Sequence, residues 1–183
     1  MKKIIGLLLG LFLSSCGFNW EREEYNFNNF KQTPLWELAK AVRSDDSIEI
    51  KQILKDKKLD INFKEPKYHQ TLLGLAIQNR KKNAFVVLLK SGANSNELIG
   101  KLKDVTPFIY AIENLDDCNL FYVETMLKYG ANPNFEIQNP EPEYHFFNSF
   151  PLFVAIGKND NKGNDCLELI KLLVDNGADI NVC

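Results

Sequence analysis

The chain is short of the residues that most often carry catalysis and metal binding. Its 183 residues include only two histidines and four cysteines, and neither His69 nor His145 lies at zinc-ligand spacing from a cysteine. No G-x-S-x-G, P-loop or H-E-x-x-H motif occurs in the sequence, which removes the support for the enzyme classes that those motifs mark. We therefore expect a protein that is not an enzyme, with no catalytic residue, no metal and no cofactor.

An excess of charge and a long apolar run are also missing. The 22 Lys and Arg residues nearly balance 24 Asp and Glu residues, for a net charge of −2. A nucleic-acid-binding domain normally carries a basic face, so nucleic acid is not an expected partner. An apolar run of ten residues, 4–13, stands near the N-terminus, and a bilayer-spanning helix needs about 20.

The first 16 residues have the pattern of an export signal. Lys2 and Lys3 precede the apolar run, as in secretory signal peptides. The segment Leu13-Ser14-Ser15-Cys16 resembles the lipobox of bacterial lipoproteins. That resemblance implies removal of residues 1–15, lipidation of Cys16 and attachment to a membrane of the bacterial envelope. A plain signal peptide with an incidental cysteine is the alternative.

Gly17 follows Cys16, where Asp would favour retention in the inner membrane, so the outer membrane is favoured. The sequence leaves open whether the protein faces the periplasm or the cell surface. Residues 16–32 are interpreted as the lipidated cysteine and a tether, because they show no helical or strand periodicity. Phe27 and Phe30 are expected to pack on the domain that follows rather than on lipid.

The rest of the chain repeats one pattern of about 30 residues. Residues 71–96 contain two short apolar segments around a polar turn at 79–83. Gly92 follows the second segment, where a left-handed helix cap suits glycine. Helices this short are unstable alone in water, so they must pack on neighbours. The pattern returns at residues 106–134 and 150–181, and more weakly at 33–62.

These motifs resemble the ankyrin-repeat family, whose repeats open with T-P-L-H-x-A, close with L-L-x-x-G-A and D-x-N, and have a period of about 33 residues. Here the closing asparagines stand at 62, 96, 134 and 181. The histidine of the opening is replaced by Gly74, Ile109 and Phe153. The resemblance implies an all-α solenoid over residues 33–183, with about four helix–turn–helix repeats and projecting finger loops.

The resemblance also implies that the protein binds another, unidentified protein through finger loops and inner-helix side chains. The fingers are residues 63–70, 97–105 and 135–149. The candidate partner-binding residues are Lys64, Tyr68, His69, Lys101, Lys103, Tyr144, His145, Phe146 and Phe147. Phe146 and Phe147 of the third finger have an alternative role of equal weight, which is to cover the last repeat interface. An immunity or inhibitor protein against a toxin, or a structural envelope scaffold, are the alternative functions.

Two expectations concern the third and fourth repeats. Ankyrin packing separates equivalent residues of neighbouring repeats by about 10 Å, beyond the reach of a disulfide, so no Cys118–Cys166 bond is expected. Pairing of Cys183 with one of them stays an alternative. The last helix, residues 167–175, is apolar around much of its circumference. This pattern therefore predicts that the last repeat exposes an apolar patch, through which two copies of the chain associate.

Overall fold

A computed structural model of the chain describes residues 23–55, 58–101, 105–136, 150–158 and 163–181. The helices in these ranges are α1 (Trp36–Ser44), α2 (Ser47–Ile53), α3 (Leu72–Gln78), α4 (Lys82–Lys90), α5 (Pro107–Glu113), α6 (Phe121–Lys128), α7 (Pro151–Ile156) and α8 (Leu167–Asp175). A 3-10 helix, Phe27–Phe30, precedes them. Extended pairing in the described ranges amounts to one antiparallel bridge between Ile99 and Val105. The predicted all-α ankyrin solenoid is confirmed.

The helices form four hairpins whose first and second members lie in separate layers. The first helices, α1, α3, α5 and α7, each pack against the next one along the chain. Among the second helices, close packing of this kind is found between α2 and α4. We call these first helices the inner helices, after the position that they have in ankyrin repeats.

Threonine side chains begin two of the inner helices. The Thr71 hydroxyl accepts a hydrogen bond from the Gly74 amide at 3.2 Å, and the Thr106 hydroxyl accepts one from Ile109 at 3.1 Å. Each bond satisfies one of the amide groups that a helix start leaves unpaired. Pro107 stands at the first turn of α5, where its missing N–H costs nothing. The opening threonine therefore sets where both helices start, and the proline reinforces this in α5.

A row of hydrogen bonds from the closing asparagines to the next repeat, which we call the asparagine ladder, joins each repeat to the one that follows. The side-chain oxygen of a closing asparagine accepts from a backbone amide one repeat further on. The bonds join Asn62 to Asn94, Asn96 to Asn132, and Asn134 to Asp179, at 2.8, 2.8 and 2.7 Å. Asn96 and Asn134 also donate to the Gly130 and Gly177 carbonyls at 3.1 and 2.8 Å. The D-x-N ending thus holds neighbouring repeats in register.

Residues 23–32, which we call the N-terminal segment, pack against the repeats. Phe27 and Phe30 are buried in the core, as predicted. Burying an aromatic ring of this size contributes about 1.5–3 kcal/mol. This gain explains why the stretch packs on the domain, whereas the sequence pattern predicts a tether there.

A disulfide joins Cys118 and Cys166, with their Cα atoms 5.6 Å apart. The expectation that these cysteines would not be bonded was wrong, because they do not occupy equivalent positions. Cys118 lies in the turn between α5 and α6, and its φ of 54° turns the chain there. Cys166 is the residue before α8. The long turn of the third repeat therefore reaches the start of the second helix of the fourth.

The last helix buries one side and exposes the other. Leu169 and Leu173 are fully buried in the core. Leu167 is 65% exposed, and Ile180, just beyond the helix, is 69% exposed. Exposed apolar side chains thus do occur at this end of the stack, while self-association itself stays a prediction.

Candidate partner-binding surface

The first finger is built around a buried carboxylate. Glu65 is fully buried, and its side-chain oxygens accept hydrogen bonds from the amides of Lys67 and Tyr68, both at 2.7 Å, and of Gln70 at 3.2 Å. These bonds hold the finger in one conformation and direct Lys67 and Tyr68 outward. We did not predict this role of Glu65. The available signal was an acidic residue just before Pro66 in a loop, which is weak.

The first and second fingers lie side by side. Lys64 forms an ion pair with Glu97 at 2.7 Å, and the Gly100 amide donates to the His69 carbonyl at 3.2 Å. His69 itself is exposed, with a left-handed φ of 56°. The two fingers therefore form one continuous edge beside the inner helices.

Some of the predicted site residues lie on this edge, and the others lie outside the described residues. Lys64 and Tyr68 are half-buried, whereas His69 and Lys101 are exposed on the fingers. The remaining predicted residues lie outside the described residues; they are Cys16, Lys103, Tyr144, His145, Phe146 and Phe147. The structure thus brings together the candidates of the first finger and Lys101 of the second.

The structure gives a reason for Gly74, which replaces the histidine of the ankyrin opening. The second finger folds back so that Ile99 is buried and bridged to Val105. A Cβ placed on Gly74 would lie 2.8 Å from the Cδ1 of Ile99. The space beside this turn of α3 is therefore filled by the finger, and a side chain at position 74 would require Ile99 to move.

The N-terminal segment lies on the first finger. The Glu23 carboxylate accepts from the Lys67 ammonium at 3.1 Å and from the Tyr68 hydroxyl at 3.2 Å. The Glu24 carboxylate accepts from the Gln70 amide at 2.8 Å. The hydrogen bond and charge of Lys67, with the Tyr68 hydroxyl, lower the pKa of Glu23. Tyr68 and Glu23 in turn raise the pKa of Lys67.

The same segment continues along α3 to α5. The Tyr25 carbonyl accepts from the Asn79 side chain at 3.1 Å, at the end of α3. The Tyr25 ring lies 5.8 Å from the Tyr110 ring, centre to centre, on α5. Burial, with a smaller effect of Tyr25, raises the pKa of Tyr110. The segment therefore covers part of the inner-helix face in the second and third repeats.

A cavity of about 390 Å³ lies beyond Tyr110, between the helix–helix turns of the second and third repeats. Arg80 and Asp116, both on its lining, form an ion pair at 2.6 Å. The Tyr122 hydroxyl is buried and has no hydrogen-bond partner among the described residues. Burial also raises the pKa of Tyr122. The inner face thus combines aromatic rings with polar groups, a composition common in protein interfaces.

The described residues contain neither a metal-binding cluster nor a membrane-spanning helix. No group of three or more His, Cys, Asp or Glu side chains there is arranged to hold a metal ion. No described helix has the length and apolar character needed to cross a membrane.

Comparison with known proteins agrees with this architecture. Residues 148–183 match the family model for the ankyrin repeat. The crystal structure of EF0377, an ankyrin repeat protein, is similar at 20% identity and a TM-score of 0.50, covering 79% of this chain and 83% of that one. No curated protein matches the sequence.

The ankyrin repeat domain of Bcl-3, described as a unique member of the IkappaB protein family, is also similar. The identity is 25% and the TM-score 0.58, over 76% of this chain and 54% of that chain. This chain therefore spans about half the length of the Bcl-3 domain. The fold is that of an ankyrin-repeat solenoid, and ankyrin repeats are in general non-catalytic modules that bind other proteins.

Proposed function

We propose that the protein is a membrane-anchored, protein-binding module of the bacterial envelope. The ankyrin fold and the continuous edge of two fingers beside the inner helices support the binding role. The lipobox-like Leu13-Ser14-Ser15-Cys16 after an apolar run supports the anchor. Gly17 after Cys16 supports the outer membrane as its destination.

The disulfide is the observation that carries the proposed location. Disulfides form and persist in oxidising compartments, whereas cytosolic thiols are kept reduced. The Cys118–Cys166 bond is independent of the N-terminal motif and supports the same conclusion, namely export from the cytosol.

The anchor is tested by changing Cys16. We expect Cys16→Ser to lose labelling by a palmitate analogue and to leave the membrane fraction or remain unprocessed. Cys183→Ser is the matched control, because it removes a cysteine outside the motif and should keep the label. Unchanged labelling of the Cys16→Ser protein would contradict the lipoprotein proposal.

The binding role is tested by capture of partners from membrane extracts. Lys101 is exposed on the second finger, and Lys51 is exposed on α2, in the outer layer. We expect Lys101→Glu to weaken capture and Lys51→Glu to leave it unchanged, since only the first lies on the proposed surface. Equal capture by both variants would argue against recognition by the fingers.

A further inference from the structure

Five residues of the repeats contact the start of the N-terminal segment. Four of them donate hydrogen bonds to oxygens of residues 23–25, and the fifth provides an aromatic ring. These five residues, which we call the acceptor surface, are Lys67, Tyr68, Gln70, Asn79 and Tyr110. They contact the carboxylates of Glu23 and Glu24, and the backbone carbonyl and ring of Tyr25. The surface is therefore matched to an acidic helical turn that ends in an aromatic residue.

Two parts of the N-terminal segment are held with different strength. The Glu23 and Lys67 side chains are 48% and 58% exposed in their ion pair, and ion pairs in water contribute little to stability. Phe27 and Phe30, a few residues later, are buried in the core. Residues 23–25 can therefore leave the acceptor surface while Phe27 and Phe30 keep the segment attached to the domain.

The acceptor surface belongs to the part of the fold where a partner would bind. Lys67, Tyr68 and Gln70 stand on the first finger, and Tyr110 stands on an inner helix. A partner that uses this part of the face has to compete with residues 23–25. Because those residues are linked covalently, their effective concentration at the surface is high.

We propose that Glu23, Glu24 and Tyr25 act as an intramolecular ligand of the acceptor surface, and that the protein partner displaces them with a segment of the same chemistry. That segment carries two adjacent carboxylates followed by an aromatic residue. The inference rests on the proposed protein-binding function and specifies its partner. The apparent affinity for the partner is then the intrinsic affinity multiplied by the fraction of time that the surface is free of residues 23–25.

The test is a titration of the full-length protein in detergent with a fluorescein-labelled peptide that has the sequence of residues 20–26. The release variant, Glu23→Ala with Glu24→Ala and Tyr25→Ala, removes the side-chain contacts with the surface and leaves Phe27 and Phe30 in place. If residues 23–25 occupy the surface about nine-tenths of the time, release should tighten peptide binding about tenfold. Circular dichroism and the melting temperature verify that the release variant is folded.

Two further variants are made on the release background. Lys67→Glu should weaken peptide binding about tenfold, because it replaces the donor of Glu23 with a like charge. Lys51→Glu, on the far layer, should leave it unchanged. A second peptide with glutamine for the glutamates at positions 23 and 24 should bind about tenfold more weakly than the first, since the amides lose the charge-assisted bonds.

Three results would overturn the inference. The first is a release variant that binds the peptide no better than the wild type does. The second is an equal effect of Lys67→Glu and Lys51→Glu. The third is a wild-type dimer that dissociates in the release variant, measured by light scattering, since residues 23–25 would then be exchanged between two copies. A failed titration with intact partner capture rejects this inference alone, whereas failed capture with a positive titration rejects the proposed function.

Discussion

Removal of the Cys118–Cys166 disulfide should weaken the C-terminal end of the solenoid. The bond closes a loop across a sequence separation of 48 residues. The entropy that such a cross-link removes from the unfolded chain corresponds to about 4 kcal/mol of stabilisation. Because repeats are stabilised by contacts with their neighbours, we expect the loss to appear first in the fourth repeat, which has contacts on one side among the described residues.

The assay compares urea unfolding of three samples by circular dichroism. These are the oxidised wild type, the reduced wild type, and the variant Cys118→Ala with Cys166→Ala. Alanine is used because Cys166 is buried and a serine hydroxyl would lack a partner there. The reduced wild type and the variant should unfold at similar, lower urea concentrations. Cys183→Ser is the control, since it leaves the bond intact.

Two results would refute this reasoning. Thiol titration of the denatured, oxidised protein should find Cys118 and Cys166 unreactive, and reaction of both would show that the bond is absent. Equal urea midpoints for the oxidised and reduced wild type would show that the bond does not stabilise the fold. Limited proteolysis within α7 and α8 gives an independent measure of the same effect.

Three further predictions concern stability. Leu88→Ala should destabilise the fold by about 2–5 kcal/mol, because Leu88 is fully buried between repeats; an unchanged melting temperature would contradict this packing. Asn96→Ala should cost about 1–3 kcal/mol through two lost ladder bonds, measured by urea unfolding. Asn181→Ala is the control with little effect, because Asn181 bonds to Asp179 within its own turn. Glu23→Gln should lower the melting temperature only slightly at neutral pH, since the ion pair is exposed. Because the Lys67 contact lowers the pKa of Glu23, that small difference from wild type should vanish as the pH falls through the lowered value; a difference that persists at low pH would contradict the assignment.

The repeat structure could be predicted because its signals are local. Thr106 and Pro107 begin α5, and Gly92 follows the end of α4 with a φ of 94°, as the motif indicates. Each of these positions depends on the conformation of one or two residues, which the residue type largely determines. The stacking of hairpins then follows from helices too short to be stable alone.

The features that were missed depend on contacts between distant residues. Glu23 meets Lys67 across a separation of 44 residues, in a segment with no periodicity of its own. The disulfide was missed because the distance was inferred from equivalent positions, whereas Cys118 lies in a lengthened turn that reaches the next repeat. Burial of Phe27 and Phe30 was predicted, since two phenylalanines beside a repeat domain seldom stay in water.

The asparagine ladder has a consequence for how such a protein can change over time. The closing asparagines are separated by 34, 38 and 47 residues, yet the bonds between successive repeats are 2.8, 2.8 and 2.7 Å long. The joint between repeats is therefore independent of how much chain lies between its two ends. Fingers and turns can lengthen, shorten or be replaced without a change in the axis of the stack. The solenoid can acquire a new binding specificity by insertion, and an engineer could graft a foreign loop into the same places.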